Sequence, residues 1–309
     1  MTSNINIKVV GVGGSGNNAV SRMMKYKIKG VELIAINADA QDLQKARAHR
    51  KLRIGRNLTK GLGAGMNPEV GRQAAEEQKE EIEQILRDAD MLFIAGGLGG
   101  GTCSGASPVV AEIAKNLGAL TLAVVTTPFS FEGANRMEIA QNSLKKLKPR
   151  VDTLISISNN KLLSILEPQT TVLNAFWFCD DILRQAVQGI SDLIVLPGII
   201  NIDFADIKAI MKDSGSALFG IGRAKGIERA KEAARKALNS PLLDISSKGA
   251  KGVLFNVSGG KDISLSEIDE AAKVITEEVS SEAKVIFGAI QDEKLNKGEI
   301  KITVIATGF

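Results

Sequence analysis

Three glycine-rich stretches hold the residues most able to do chemistry: "GVGGSGNNAV" (11–20), "GLGAGMNPEVG" (61–71) and "GGLGGGTCSG" (96–105). Glycine loses more conformational freedom on ordering than any other residue, so its accumulation beside apolar runs needs a physical reason. A bare backbone lets several N–H groups approach one anion, and a helix starting at the same point adds the positive end of its dipole. One such loop is a weak signal. Three converging on one sheet edge would offer more donors than a single phosphate uses, and they predict a polyphosphate.

Two familiar phosphate sites can be tested against these strings. A P-loop reads G-x-x-x-x-G-K-[ST], and the chain has no such string. Gly11, Gly13 and Gly16 do fit the dinucleotide fingerprint G-x-G-x-x-G, with Asp39 placed to bind a ribose. An NAD-dependent oxidoreductase of Rossmann type is therefore open at this point. It leaves the other two loops unexplained, and the single histidine, His49, sits in the basic run "KARAHRKLRIGR" (45–56). That argues against histidine-assisted hydride transfer, serine triads and histidine-based zinc sites.

The loops need a frame. "INIKVVGVG" (5–13), "VELIAINAD" (31–39), "MLFIAGG" (91–97), "LTLAVVTTP" (120–128) and "TLISIS" (153–158) read as buried parallel strands. Helical patterns fall between them near 14–28, 67–88, 105–118 and 133–148. Asn67, Pro68 and Glu69 supply an N-cap, a first-turn proline and a first-turn acid. Strands alternating with helices predict a doubly wound α/β domain, whose ligands bind beyond the carboxyl ends of the strands. "VLNAFWFCDDILRQAVQGISDLIVLPG" (172–198) then reads as one long helix, with Leu183, Val187, Ile190 and Ile194 on a single stripe and Pro197-Gly198 ending it. Beyond it, "SALFGIGRA", "GVLFNVSG", "AKVIFGAI" and "EIKITVIATGF", with helices near 226–239 and 266–280, predict a smaller α/β domain.

With 309 residues, 44% hydrophobic and 24% charged, the chain is long enough for two folded domains. No apolar run is long enough to span a bilayer, and the N-terminus lacks the pattern of a signal peptide. Direct membrane insertion is not expected. Cys103 and Cys179 lack metal-ligand spacing and read as free thiols of a reducing cytoplasm. The net charge of +4 is mildly basic. Its runs lack interleaved aromatics, so they read as solvated surface and no nucleic-acid partner is expected.

"GGGTCSG" (99–105) resembles the tubulin-superfamily glycine motif GGGTGTG. "GVGGSGNNAV", "GLGAGMNPEVG", "PFSFEGANR" (128–136) and "NIDFAD" (201–206) resemble segments of the FtsZ family of cell-division GTPases, in the same order and over essentially the whole chain. The resemblance implies a tubulin/FtsZ-like α/β fold: a GTP-binding domain over 1–171, a central helix over 172–198, and an activation and polymerisation domain over 199–309. It implies a cytoplasmic GTPase at the mid-cell division site that polymerises head to tail. Membrane tethers would bind a C-terminal tail that is expected to lie outside this chain.

Residue by residue, the resemblance implies that Gly14, Ser15, Gly16 and Asn17 cradle phosphates, with Asn18 near the guanine. Ala64, Gly65 and Met66 would face the γ-phosphate. Gly99, Gly100, Gly101, Thr102, Cys103, Ser104 and Gly105 would wrap the α- and β-phosphates. Glu132 and Arg136 would hold the ribose side, with Asn159 nearby; Phe176 would stack on the base and Asp180 would read it. An acid suits guanine, whose N1–H and N2–H₂ are donors, whereas adenine presents a bare N1 acceptor. Asn201, Asp203 and Asp206 would complete the site of the next subunit, polarising the attacking water. Mg²⁺ would bind mainly through phosphates and water, with no metal site of the protein's own. Cys103 stands where the family motif has Gly, putting a side chain into a loop expected to be bare, and Ser104 stands where it has Thr. A filament protein that binds GTP with little hydrolysis is the second alternative.

Overall fold

Five apolar runs of the first half of the chain become strands, and their side chains alternate between two buried faces as a strand requires. The computed structural model describes residues 5–163, 166–167, 169–196, 198–240, 249–292 and 295–309. The chain divides into two compact units between Gln188 and Gly189.

In the first unit the strands are β1 (Ile7–Val12), β2 (Val31–Asn37), β3 (Arg50–Arg53), β4 (Met91–Gly97), β5 (Leu120–Thr127) and β6 (Thr153–Ser158). They lie in the order β3-β2-β1-β4-β5-β6, and their pairings are parallel. The helices are α1 (Gly13–Tyr26), α2 (Ala40–Lys45), α3 (Pro68–Glu77), α4 (Lys79–Leu86), α5 (Gly101–Asn116), α6 (Ala134–Leu147) and α7 (Asn159–Leu163). Val10, Val12, Ile34, Ile36, Leu92 and Ile94 share a core with α3, α4, α5 and α6. Val9, Leu33 and Phe93, on the opposite face of the pleat, are equally buried, and α1 packs against β1, β2 and β4. The unit is thus doubly wound.

Two local features differ from the sequence expectation. The helix expected over 67–88 is broken at Gln78, whose side chain is buried and accepts from the Gly55 amide, so the segment forms two helices. The start is as expected: Asn67 Oδ1 accepts from the Glu69 amide at 2.9 Å, with Pro68 following. The basic run 45–56 is also more than a solvated loop, because Arg50–Arg53 is the edge strand β3. His49 extends that ladder, its amide donating to Leu33 O at 2.8 Å and its Nδ1 accepting from the Leu33 amide at 2.9 Å. Charged side chains on an edge strand discourage further pairing.

The long helix is α8 (Val172–Val195), 24 residues; Pro197 lies outside the described residues. In the second unit, β7 (Gly215–Lys225), β8 (Gly252–Gly259), β9 (Lys284–Gln291) and β10 (Glu299–Thr307) lie in the order β7-β10-β8-β9. The central β10 is antiparallel to both neighbours, while β8 and β9 are parallel. The helices are α9 (Phe204–Met211), α10 (Arg229–Leu238) and α11 (Leu265–Glu277). Ala233 and Ala237 of α10 lie on Gly220 and Gly222 of β7 so closely that a Cβ on either glycine would overlap a helix carbonyl. Buried Arg229 ties α10 to the start of α11, reaching Asp262 at 2.8 Å and Glu267 at 2.5 Å. Among the described residues no helix is long and apolar enough to cross a membrane.

The contact of α3 with α5 places the second glycine loop beside the third. A Cβ on Gly71 would overlap the Gly101 carbonyl, and one on Gly105 would overlap the Pro68 carbonyl. Gly105→Ala is therefore expected to destabilise the first unit by about 1–3 kcal/mol, the usual cost of overpacking. The measurement is the denaturant midpoint without nucleotide. An unshifted midpoint would mean that α3 and α5 separate at no cost.

Candidate functional site

Because the strands of the first unit are parallel, the segments that follow them emerge at one edge. From β1 the chain enters α1 through Gly14, Ser15, Gly16, Asn17 and Asn18; from β4 it passes Gly99 and Gly100 into α5. The strand order reverses between β1 and β4, the switch point at which doubly wound sheets open a crevice. The three glycine loops meet there. A Cβ on Gly13 would lie 3.3 Å from the Cys103 amide nitrogen, and one on Gly101 would lie 2.8 Å from the Asn67 amide nitrogen and 2.8 Å from Ala64 Cβ.

The first N–H groups of a helix need outside partners. Side chains supply them for α2, α3 and α11, through Asp39, Asn67 and Ser264. The N-cap residues of α1 and α5, Val12 and Gly100, provide no such bond. Gly65 and Gly100 have no neighbour within 4 Å of a built Cβ, and Met66 beside them has φ 60° and is partly exposed. Two uncapped helix starts beside open glycines form a cradle for an anion. Two buried amide oxygens at the same strand ends, Asn17 Oδ1 and Asn159 Oδ1, have no hydrogen-bond partner. Such orphans call for a ligand or water.

The glycines of 96–105 thus do two kinds of work. Gly100 lines open space, but Gly96, Gly99, Gly101 and Gly105 are needed because protein atoms lie within 3 Å of a Cβ built there. Cys103 is one such neighbour. Its side chain does not enter the cradle; it is buried under the loop, with Sγ 2.5 Å from a Cβ built on Gly96 and 3.4 Å from Ser107 Oγ. Desolvation pushes its thiol up to about 11. The residue is helical and its φ is not positive, so its amide keeps the orientation of a helix start. Ser104 is also buried, its Oγ accepting from the Gly99 amide at 3.0 Å and closing the loop.

The opposite wall comes from β5, β6 and α8. Phe129, after β5, packs edge-on against Phe176, with centroids 5.4 Å apart. Glu132 accepts from the Phe129 amide and from Arg136 Nη1, each at 2.9 Å. Phe176 is 39% exposed. One turn further along α8, Asp180 is buried and lies beside the first loop: Ser15 Oγ donates to its Oδ1 at 3.4 Å. Arg22 of α1 reaches its Oδ2 through Nη2 at 3.2 Å and Nε at 3.4 Å. Desolvation raises the Asp180 carboxyl to about 6, against the lowering pull of Arg22 and Ser15. Asp181, its neighbour, is committed elsewhere, to Arg184 Nε at 2.6 Å and Gln185 Nε2 at 2.7 Å.

Asp39, the acid of the dinucleotide fingerprint, caps α2 through its side chain, which accepts from the Asp42 amide at 2.9 Å, and it backs onto Gly63. Its side chain thus has a structural role as the cap of α2. Sequence reasoning did not find Arg22 and Asp42. Asp42 Oδ2 accepts from Asn37 Nδ2 at 2.7 Å and from Asn17 Nδ2 at 3.4 Å, fixing the amide of Asn17. The spacing of Ser15 and Arg22, two turns apart on one face of α1, was the available signal.

The segment "NIDFAD" belongs to the second unit. Asn201 Oδ1 accepts from the Gly198 amide at 2.7 Å and closes the turn before α9. Asp203 is the N-cap residue of α9 and Asp206 lies in its first turn; both are exposed.

Comparison with known proteins agrees with this architecture. The profile of the Tubulin/FtsZ family, GTPase domain, matches residues 6–167, and that of the FtsZ family, C-terminal domain, matches residues 215–309. The chain resembles an FtsZ dimer from M. jannaschii with a TM-score of 0.94 and 46% identity, over 98% of this chain and 88% of that one. It shares its fold, at 20% identity, with CetZ2 from Haloferax volcanii, described as a GTPgS-bound protofilament, at a TM-score of 0.81 over 98% and 92% of the two chains. The GDP-bound CetZ1 monomer of the same organism gives a TM-score of 0.85, also at 20% identity, over 99% and 94%. With family profiles covering most of its length, this chain belongs to the FtsZ family of tubulin-like GTPases.

Proposed function

We propose that the chain binds GTP in the crevice between α1 and α5, hydrolyses it to GDP and phosphate, and assembles head to tail into protofilaments of a cell-division ring. The observation that carries this reading is the position of Asp180. A buried carboxylate lies one hydrogen bond from the first glycine loop, so a single ligand can meet the phosphate cradle and an acceptor for N–H donors at once. Guanine offers those donors and adenine does not.

In this reading α1 and α5 direct amides at the phosphates, and Ala64, Gly65 and Met66 face the γ-phosphate. Phe176 stacks on the base beside Asn18, while Glu132, Arg136 and Asn159 bound the ribose side. Mg²⁺ would accompany the phosphates, held mainly by their oxygens and by water, and would neutralise part of their charge. Asp203 and Asp206 act on the γ-phosphate of the adjoining subunit, where they orient and polarise the attacking water as the bond to the bridging oxygen breaks. Asn201 holds their turn. The M. jannaschii relative, described as an FtsZ dimer, favours a self-assembling chain. Division-site localisation and tethering through a C-terminal tail follow from the same family reading.

The base-reading role has a pH signature. Guanine binds the ionised carboxylate, so GTP affinity should be full above about pH 6 and should fall as Asp180 protonates below it. Stability of the nucleotide-free protein runs the other way. A carboxyl raised in the fold contributes stability at low pH that is lost as pH rises through about 6. Asp180→Asn should therefore fold at neutral pH at least as stably as the parent. It should bind GTP tenfold or more weaker, since hydrogen bonds to a charged group contribute about 1.5–3 kcal/mol each, and it should lose the acid-side fall in affinity. Calorimetric titrations from pH 5 to 8 check this, and an unchanged affinity would remove Asp180 from the site.

The shared-site step has its own test. Asp206→Ala should bind GTP normally, release phosphate very slowly and form longer-lived filaments. Asp180→Ala should also be inactive alone, and a mixture of the two variants should recover part of the activity at junctions where both halves are intact. Phosphate release that stays constant per molecule down to concentrations where light scattering shows only monomers would exclude hydrolysis across a junction.

A further inference from the structure

We propose that Arg22 is a built-in competitor for the base: its guanidinium takes the place on Asp180 that the nucleotide's N–H donors must occupy, and it withdraws onto Trp177 when nucleotide binds. The inference rests on the GTP reading above and deepens it. Its basis is a match of chemistry at one atom. Nε and Nη2 of Arg22 both point at Asp180 Oδ2, at 3.4 and 3.2 Å. They are two N–H donors on one carbon, the same fork that guanine presents through N1, C2 and N2. Arginine is well suited to the task, because its planar donor pair is preorganised for a carboxylate.

The carboxylate needs such a partner. Asp180 is only 5% exposed, so it cannot fall back on bulk water. A buried charge left without a partner is strongly destabilising. Ser15 Oγ serves the other oxygen at 3.4 Å, leaving Oδ2 to Arg22. The guanidinium also has a second contact. Trp177, three residues before Asp180 on α8, is 40% exposed, and Arg22 Cζ lies 5.1 Å from its ring centroid. A cation–π contact of this kind can hold the guanidinium after its hydrogen bonds to the acid are surrendered. Arg22 thus stabilises the nucleotide-free protein and weakens nucleotide binding by the same interaction.

That opposition of sign separates a competitor from a plain tie between α1 and α8. At pH 8.5, where Asp180 is ionised, Arg22→Gln should lower the melting temperature of the nucleotide-free full chain and tighten GTP binding by about three- to tenfold, the scale of a partly exposed ion pair. Trp177 is the only tryptophan, so its emission should change when GTP is added to the parent protein, and the change should shrink in the variant. Arg22→Lys keeps the charge without the fork. It should melt close to the parent and bind GTP more tightly than the parent but less tightly than Arg22→Gln; it decides the matter if the glutamine variant does not fold. Equal or weaker GTP binding in the variants, with the parent binding normally, would overturn the competitor. An undiminished tryptophan response would overturn the withdrawal onto Trp177. A parent that binds no GTP at pH 8.5 would instead overturn the GTP reading itself, and the competitor with it.

Discussion

Parallel strand pairing constrains everything else in the first unit. Strands that run the same way must be joined by crossovers, and each crossover here delivers the start of a helix or a turn to the carboxyl edge. Apolar residues on one face of β1, β2 and β4 pack against α5, whereas α1 lies outside that core and packs on the same strands. The two helices therefore leave neighbouring strands on opposite faces, with their N-termini side by side at the carboxyl edge, where a Cβ on Gly13 would lie 3.3 Å from the Cys103 amide nitrogen. A crevice flanked by unsatisfied amides is the geometric result of the strand order, before any side chain is considered.

Glycine enforces that geometry as much as it serves a ligand. Gly11 and Gly16 let α1 settle onto the sheet, since a Cβ on Gly11 would overlap the Gly16 carbonyl and one on Gly16 would lie 2.5 Å from the Ala95 carbonyl. Gly71, Gly101 and Gly105 do the same between α3 and α5. Backbone brought this close to backbone leaves little room for the loops to breathe, so the amides at the helix starts are positioned in advance. Preorganised donors lose little freedom when an anion arrives, and this is how packing far from the ligand contributes to affinity.

Much of this was legible in the sequence. The five buried runs of the first half became β1, β2, β4, β5 and β6 because continuous apolar stretches bounded by glycine suit a doubly covered parallel sheet. Asp180 was singled out by the family resemblance, since the adjacent Asp181 interrupts the same apolar helix equally. Short or exposed elements were not legible: β3 has four residues, three of them arginine or lysine, and only its ladder to β2 makes it a strand. The break at Gln78 depends on one amide 23 positions away. Composition could say that 96–105 is nearly bare but not which glycines face protein and which face open space. Nor could it say that Cys103 points beneath the loop. Those distinctions are set by neighbours distant in sequence.

The commitments of the acids bear on where hydrolysis can be completed. Around the crevice each candidate carboxylate has partners. Asp39 caps α2, Asp42 holds two amides, Glu132 holds Arg136 and the Phe129 amide, and Asp180 meets Arg22 and Ser15. An acid already held by fixed donors is tied to one orientation and has fewer lone pairs left to offer a water. Asp203 and Asp206 are exposed on the first turn of α9, and an exposed carboxylate can turn toward whatever docks against it. The family's arrangement, in which one subunit supplies the cradle and the next supplies the acid, fits that division. In the proposed reading the acids around the crevice serve structure and base reading, and Asp203 and Asp206 are left for a neighbour. Under that proposal hydrolysis would wait on assembly, because the water-activating group and the phosphate it serves would belong to different copies of the chain.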